Sequence, residues 1–108
     1  MSTHVLDTAR GEPAGGIHVV LERASGDGRW ILAGQGVTDA NGRVPKLAAV
    51  EALQPGTYRL TFYTGDYFEG RPHFHPEVAV QFLVDDASAH YHVPLLLSPY
   101  GYTTYRGS

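Results

Sequence analysis

Thirteen glycines and seven prolines interrupt this chain roughly every eight to twelve residues, a spacing that suits an all-β fold and leaves little room for long helices. The pieces between the breaks are short and rich in Val, Thr, Tyr and Phe, side chains that pack well on a pleated surface. Strands are predicted at Thr3–Asp7, Ile17–Arg23, Trp30–Thr38, Gly56–Thr64, Glu77–Asp85, Ala89–Leu97 and Tyr102–Arg106. Ser25-Gly26-Asp27-Gly28, Asp39-Ala40-Asn41-Gly42, Pro55-Gly56 and Ser98-Pro99-Tyr100-Gly101 carry turn chemistry between them. Two short stretches, Leu47–Leu53 and Asp66–Gly70, have helical character. The architecture that fits is a β-sandwich of two sheets.

With 108 residues the chain has room for one domain, residues 1–108, whose modest core makes oligomerisation a natural supplement. Hydrophobic residues at 43% and charged residues at 18% exclude a disordered chain. A formal net charge of −3 gives no basic footprint for nucleic acid or an anionic membrane. The absence of cysteine removes disulfides, thiolate metal sites and thiol nucleophiles together. No basic, apolar leader pattern opens the sequence and no apolar run reaches a membrane span of roughly 18 residues, so a cytoplasmic protein is expected.

Alternation assigns the faces. In Ala89–Leu97 the odd positions Tyr91, Val93, Leu95 and Leu97 form an apolar face for the core. The even positions His90, His92, Pro94 and Leu96 are not those of an ordinary wet face, which would carry Lys, Glu or Thr. His4 shares its face of the first strand with Leu6 in the same way. Such surfaces are expected to be covered by another copy of the chain.

Of the six histidines, His73-x-His75 and His90-x-His92 have a spacing that zinc or copper sites use. No carboxylate stands at a matching spacing, and Pro72 and Pro76 flank the first pair, so packing or exposed histidines are the plainer reading there. There is no Gly-x-Ser-x-Gly elbow and no glycine-rich phosphate loop. Asp39, Asp66, Glu69, Asp85 and Asp86 sit in or beside turns, as solubilising groups do. What remains is His4 and His92 among apolar groups, where desolvation favours neutral imidazole, a competent general base near neutral pH. Arg43, after Asn41-Gly42, is placed either to hold an anionic ligand or simply to be solvated in a turn.

Three segments then carry a family resemblance: Ser2-Thr3-His4-Val5-Leu6-Asp7-Thr8-Ala9-Arg10-Gly11; Thr38-Asp39-Ala40-Asn41-Gly42-Arg43; and His90-Tyr91-His92-Val93-Pro94-Leu95-Leu96-Leu97-Ser98-Pro99-Tyr100-Gly101-Tyr102 with the terminal Tyr105-Arg106-Gly107-Ser108. In order and approximate spacing they resemble the 5-hydroxyisourate hydrolase branch of the transthyretin-like family, from about Ser2 to the last residue. The terminal tetrapeptide is the most specific part, since the hormone-carrier branch lacks it. The resemblance implies an eight-stranded, two-sheet sandwich with one short helix, assembled as a homotetramer, a dimer of dimers with active sites in the clefts between dimers. It implies hydrolysis of 5-hydroxyisourate, the product of urate oxidation, to 2-oxo-4-hydroxy-4-carboxy-5-ureidoimidazoline, with no metal or organic cofactor. Carried over by position, the catalytic set falls on His4, Arg43 and His92, with Tyr105 and Ser108 closing the pocket and His90 outside the set. The family's aromatic residues before the loop proline are here His73-Phe74-His75-Pro76, a local departure. Two other functions remain: a small-ligand carrier using the channel between dimers, and a histidine-based metal protein built on His73, His75, His90 and His92.

Overall fold

The structure, a computed structural model, describes residues 1–48 and 53–108. Along the chain run β1 (Ser2–Asp7), β2 (Glu12–Pro13), β3 (His18–Ala24), β4 (Trp30–Val37), β5 (Arg43–Val44), β6 (Gly56–Phe62), α1 (Thr64–Tyr67), β7 (Val78–Val84), β8 (His92–Ser98) and β9 (Gly101–Thr104). They form two sheets. One has the order β4-β3-β6-β7 and is antiparallel throughout. The other has the order β2-β1-β8-β9, and β5 also pairs with β1. Its centre is a parallel pair, β1 beside β8, which ties the beginning of the chain to its end.

The alternation expected of β8 is realised: Val93, Leu95 and Leu97 enter the core, and Tyr91 just before the strand joins them. They meet Val5 of β1, Val19 and Leu21 of β3, and Tyr58, Leu60 and Phe62 of β6. Fully burying side chains of this size is worth about 1.5–3 kcal/mol each, which is what holds the two sheets face to face. The polar residues on the inward face of β1 are satisfied. Thr3 donates to the Val93 carbonyl at 2.6 Å. Asp7, 1% exposed, accepts from the Tyr67 hydroxyl at 2.6 Å and from the amides of Ala9 and Arg10.

The seven longer strands lie where the sequence places them, with ends shifted by up to a few residues; β8 starts at His92 rather than Ala89. There are nine strands among the described residues rather than eight, because β2 and β5 are two-residue ladders too short to leave a periodic pattern. The helix is Thr64–Tyr67 rather than Asp66–Gly70. Buried Thr64 starts it by donating its hydroxyl to the His75 carbonyl, and Gly70, at φ +79, lies beyond its end. The other stretch with helical character, Leu47–Leu53, falls partly on residues 49–52, outside the described residues; Leu47, Ala48 and Leu53 belong to the core. Among the described residues no helix is long and apolar enough to cross a membrane.

Candidate active site

The outer face of the β2-β1-β8-β9 sheet collects the polar groups that the sequence singles out. β1 lies between β5 and β8, with His4 opposite Arg43 on one side and Ser2 opposite His92 on the other. Paired residues of neighbouring strands project to the same face, so Ser2, His4, Arg43 and His92 share one surface. With a strand spacing of ~4.8 Å and a two-residue step of ~6.6 Å, the His4 and His92 backbones lie about 8 Å apart, which lets both imidazoles reach one small molecule. Leu6 and Leu96, paired further along the same face, make an apolar floor, half-buried in the single chain.

Arg43 owes its place to the turn before it. Asp39 Oδ1 accepts from the amides of Asn41 and Arg43, and the Asp39 amide donates to the Arg43 carbonyl. Gly42 adopts φ +74, and a Cβ there would strike the Val5 carbonyl oxygen, so the position demands glycine twice over. The Val5 amide donates to the Gly42 carbonyl at 2.7 Å, stitching the turn to β1 one residue from His4. Among the described residues the Arg43 guanidinium forms no ion pair.

His92 is the most constrained member. Its Nδ1 lies 2.8 Å from Ser2 Oγ, and Nε2 has no protein partner among the described residues. Partial burial pushes the imidazole below its ordinary range, helped in turn by positive charge at Arg43, His4 and His90; a hydrogen bond with Ser2 opposes the shift and is outweighed. The chain terminus contributes to that burial. Leu95 pairs with Thr104 in the β8–β9 ladder, and three residues further the same register brings Gly107 opposite His92, its amide donating to the His92 carbonyl at 2.8 Å. A Cβ on Gly107 would come within 2.5 Å of His92 Cδ2, so only glycine lets the terminus lie against the ring.

The terminal motif divides. Gly107, next to Ser108 in sequence, pairs with His92, whereas the ladder lapses at Tyr105 and Arg106. Tyr105 instead lines a cavity of about 280 Å³ between the β7 and β9 edges, with Val80, Phe82, Tyr91, Val93 and Arg106. Arg106 stacks on the Tyr91 ring at 4.5 Å, which turns this part of the chain towards the gap between the sheets. Tyr105 thus stands beside this cavity, two residues before Gly107 meets His92. Ser2 was missed in the sequence; its two-residue spacing from His4 on β1 was the available signal.

His73 and His75 are held by packing contacts away from this face. His73 stacks on Phe68, with Nδ1 2.8 Å from the Arg71 carbonyl, and His75 meets Phe74 and Tyr102 edge-on. No group of three or more His, Asp or Glu among the described residues is arranged to hold a metal ion.

The model of the HIUase/Transthyretin family matches residues 1–107. A 5-hydroxyisourate hydrolase of Salmonella dublin is 48% identical over a 110-residue alignment covering all of this chain and 80% of that protein. The chain belongs to the HIUase/transthyretin family. Solved structures within that family agree: 5-hydroxyisourate hydrolase of Klebsiella pneumoniae superimposes with a TM-score of 0.82 at 38% identity, over 99% of this chain and 91% of that one. Transthyretin of Sparus aurata superimposes with a TM-score of 0.91 at 34% identity, over 98% and 94%. The HIUase/transthyretin fold is thus shared by proteins of both names, and backbone shape does not separate them.

Proposed function

We propose that this chain is a 5-hydroxyisourate hydrolase, acting in urate degradation on the small molecule for which its relatives are named. The observation that carries this reading is the set of polar groups on one face with no protein partner among the described residues: His92 Nε2, His4 and the Arg43 guanidinium, above the apolar floor of Leu6 and Leu96. A ring-opening hydrolysis needs a proton taken from water, a cation beside the charge that develops on the attacked carbonyl oxygen, and a donor for the ring nitrogen that leaves. His92 is assigned the first role, worth roughly 10²–10⁴ in rate. Its lowered pKa keeps it unprotonated, and so able to accept, under mildly acidic conditions. Arg43 pairs with the anionic ring system and the developing oxyanion. His4, opposite Arg43, orients the water or protonates the leaving nitrogen. Tyr105 and Ser108 of the terminal segment close the pocket on the side where Gly107 crosses His92.

Assembly belongs to the same proposal. Leu6 and Leu96 remain half-exposed beside the site, and Leu83 of β7 and Tyr102 of β9, both on sheet edges, are 72% and 41% exposed. Apolar groups so placed support a homotetramer, a dimer of dimers whose clefts contain the sites. A cytoplasmic location is compatible with the lack of a membrane-spanning helix among the described residues.

A second reading, a small-ligand carrier, has one observation in its favour: sea bream transthyretin, 34% identical to this chain, is solved in complex with thyroxine. Two imidazoles and an arginine make the face polar where an apolar ligand would sit. One assay separates the two. Urate is oxidised enzymatically in the spectrophotometer and the absorbance of the unstable intermediate is followed; a hydrolase accelerates its decay in proportion to protein added, and a carrier leaves the rate at its spontaneous value.

A further inference from the structure

A second hydrogen bond at Ser2 leads from the crevice to the surface. Ser2 is 9% exposed, and its Oγ lies 2.8 Å from His92 Nδ1 and 3.3 Å from His90 Nε2. A hydroxyl has one proton, so between two imidazoles it donates to one and accepts from the other. In one arrangement His92 Nδ1–H donates to Ser2 Oγ, whose O–H donates to His90 Nε2; His92 Nε2 then carries a lone pair facing the crevice. In the reverse arrangement His90 Nε2–H donates to Ser2 Oγ, whose O–H donates to His92 Nδ1, and His92 Nε2 carries the proton. Passing protons along the chain converts the first arrangement into the second.

We propose that Ser2 and His90 form a proton relay that carries charge from His92 to solvent. The proposal rests on the reading of His92 as the base, and it deepens that reading. His92 Nε2 takes a proton from the attacking water, whose oxygen bonds to the ring carbonyl carbon. The Nδ1 proton passes to Ser2 Oγ, and the Ser2 proton passes to His90 Nε2. His90 becomes the imidazolium and releases a proton to bulk water, while His92 remains neutral with its proton now on Nε2.

The direction follows from where a charge is tolerated. His92 is partly buried with Arg43 and His4 on its own face, so a cation held there is opposed by desolvation and by like charge. His90 is exposed, and its cation is solvated. Ser2 is well placed to connect them: it is opposite His92 in the β1–β8 pairing, and its amide donates to the Tyr91 carbonyl at 3.0 Å, between the two histidines. Both relay residues act through His92, so Ser2 and His90 are positioning residues for the reaction.

The test compares Ser2→Ala, Ser2→Thr, His90→Ala and His92→Asn in the hydrolysis assay. Ser2→Ala is expected to lower kcat by roughly ten- to hundredfold with little change in KM, and Ser2→Thr, which keeps the hydroxyl, to restore most of it. His90→Ala is expected to lower kcat, and added imidazole to recover it by taking the proton from Ser2. A His90→Ala enzyme with wild-type kcat that is indifferent to imidazole overturns the relay, even if Ser2→Ala fails to assemble, because exposed His90 is not part of the core. Wild-type kcat in Ser2→Ala overturns it as well. An inactive wild-type protein, or an active His92→Asn, would instead remove the reading of His92 itself.

Discussion

At the scale of single residues, the site depends on polar atoms left without a protein partner among the described residues, His92 Nε2 and the Arg43 guanidinium first. Arginine on a strand commonly finds a carboxylate, as Arg59 does with Glu22 at 2.8 Å, yet Arg43 has none among the described residues. Replacing Arg43 with Met is expected to cut kcat/KM by roughly 10²–10³, the usual cost of losing one donor to a developing oxyanion. The same substitution has a pH signature. Positive charge at Arg43 is one of the causes that lower the His92 pKa, after burial itself. Removing that charge moves the pKa back up, so His92 becomes protonated sooner on acidification and the acid limb of kcat/KM shifts to higher pH. In the wild-type protein that limb should lie below the ordinary imidazole value of about 6.5. A pH profile of both proteins checks the sign, and an unshifted limb would separate Arg43 from His92.

At the scale of elements, the tight turn and the buried carboxylate hold β1 and β5 in place. Gly42→Ala would force a left-handed residue to carry a Cβ against the Val5 carbonyl. A loss of about 1–3 kcal/mol in unfolding free energy is expected, together with reduced activity as Arg43 shifts. Denaturant unfolding and the hydrolysis assay read the two effects in one preparation. Asp7 offers a second check at the other end of β1. Burial alone would raise its pKa, but the Tyr67 hydroxyl, the Arg10 and Ala9 amides and the charge of Arg71 together bring it below the ordinary carboxylate range. A group whose pKa is lowered by folding stabilises the protein above its unfolded pKa, here about 3.9, and that contribution is lost as pH falls through the folded value. Tyr67→Phe should therefore cost about 1.5–3 kcal/mol near neutral pH and flatten the fall in stability under acid, measured by Tm against pH.

The same scale explains what the sequence makes legible. The alternation in β8 is sufficient to assign Val93, Leu95 and Leu97 to the core, because one face of a strand packed on a second sheet must be apolar. Family resemblance pairs His4 with Arg43 and His92 before any geometry is known, and strand register places all three on one face. The parallel pairing of β1 with β8 is invisible to local pattern, since it joins residues ninety positions apart, and without it Ser2 has no visible tie to His92. The position of Tyr105 is equally non-local: it depends on Arg106 finding the Tyr91 ring across the sheet edge.

At the scale of the whole molecule, a complete site is expected to need more than one copy of the chain. A sheet face bearing half-exposed Leu6 and Leu96 beside two imidazoles is expected to be completed by a partner. Sedimentation equilibrium should report four copies per particle. Leu96→Arg, which places a charge on that face without touching the core, should divide the particle, and activity should fall in step with the loss of tetramer. A fully active monomer would show that each chain carries a complete site. The central claim is that His92 is the base of a hydrolytic site, and its most direct measurement is the decay rate of freshly generated 5-hydroxyisourate with equal amounts of wild-type protein and His92→Asn of matched assembly state. The account predicts rapid decay with wild type and a rate lower by roughly 10²–10⁴ with the variant; near-equal rates would contradict it.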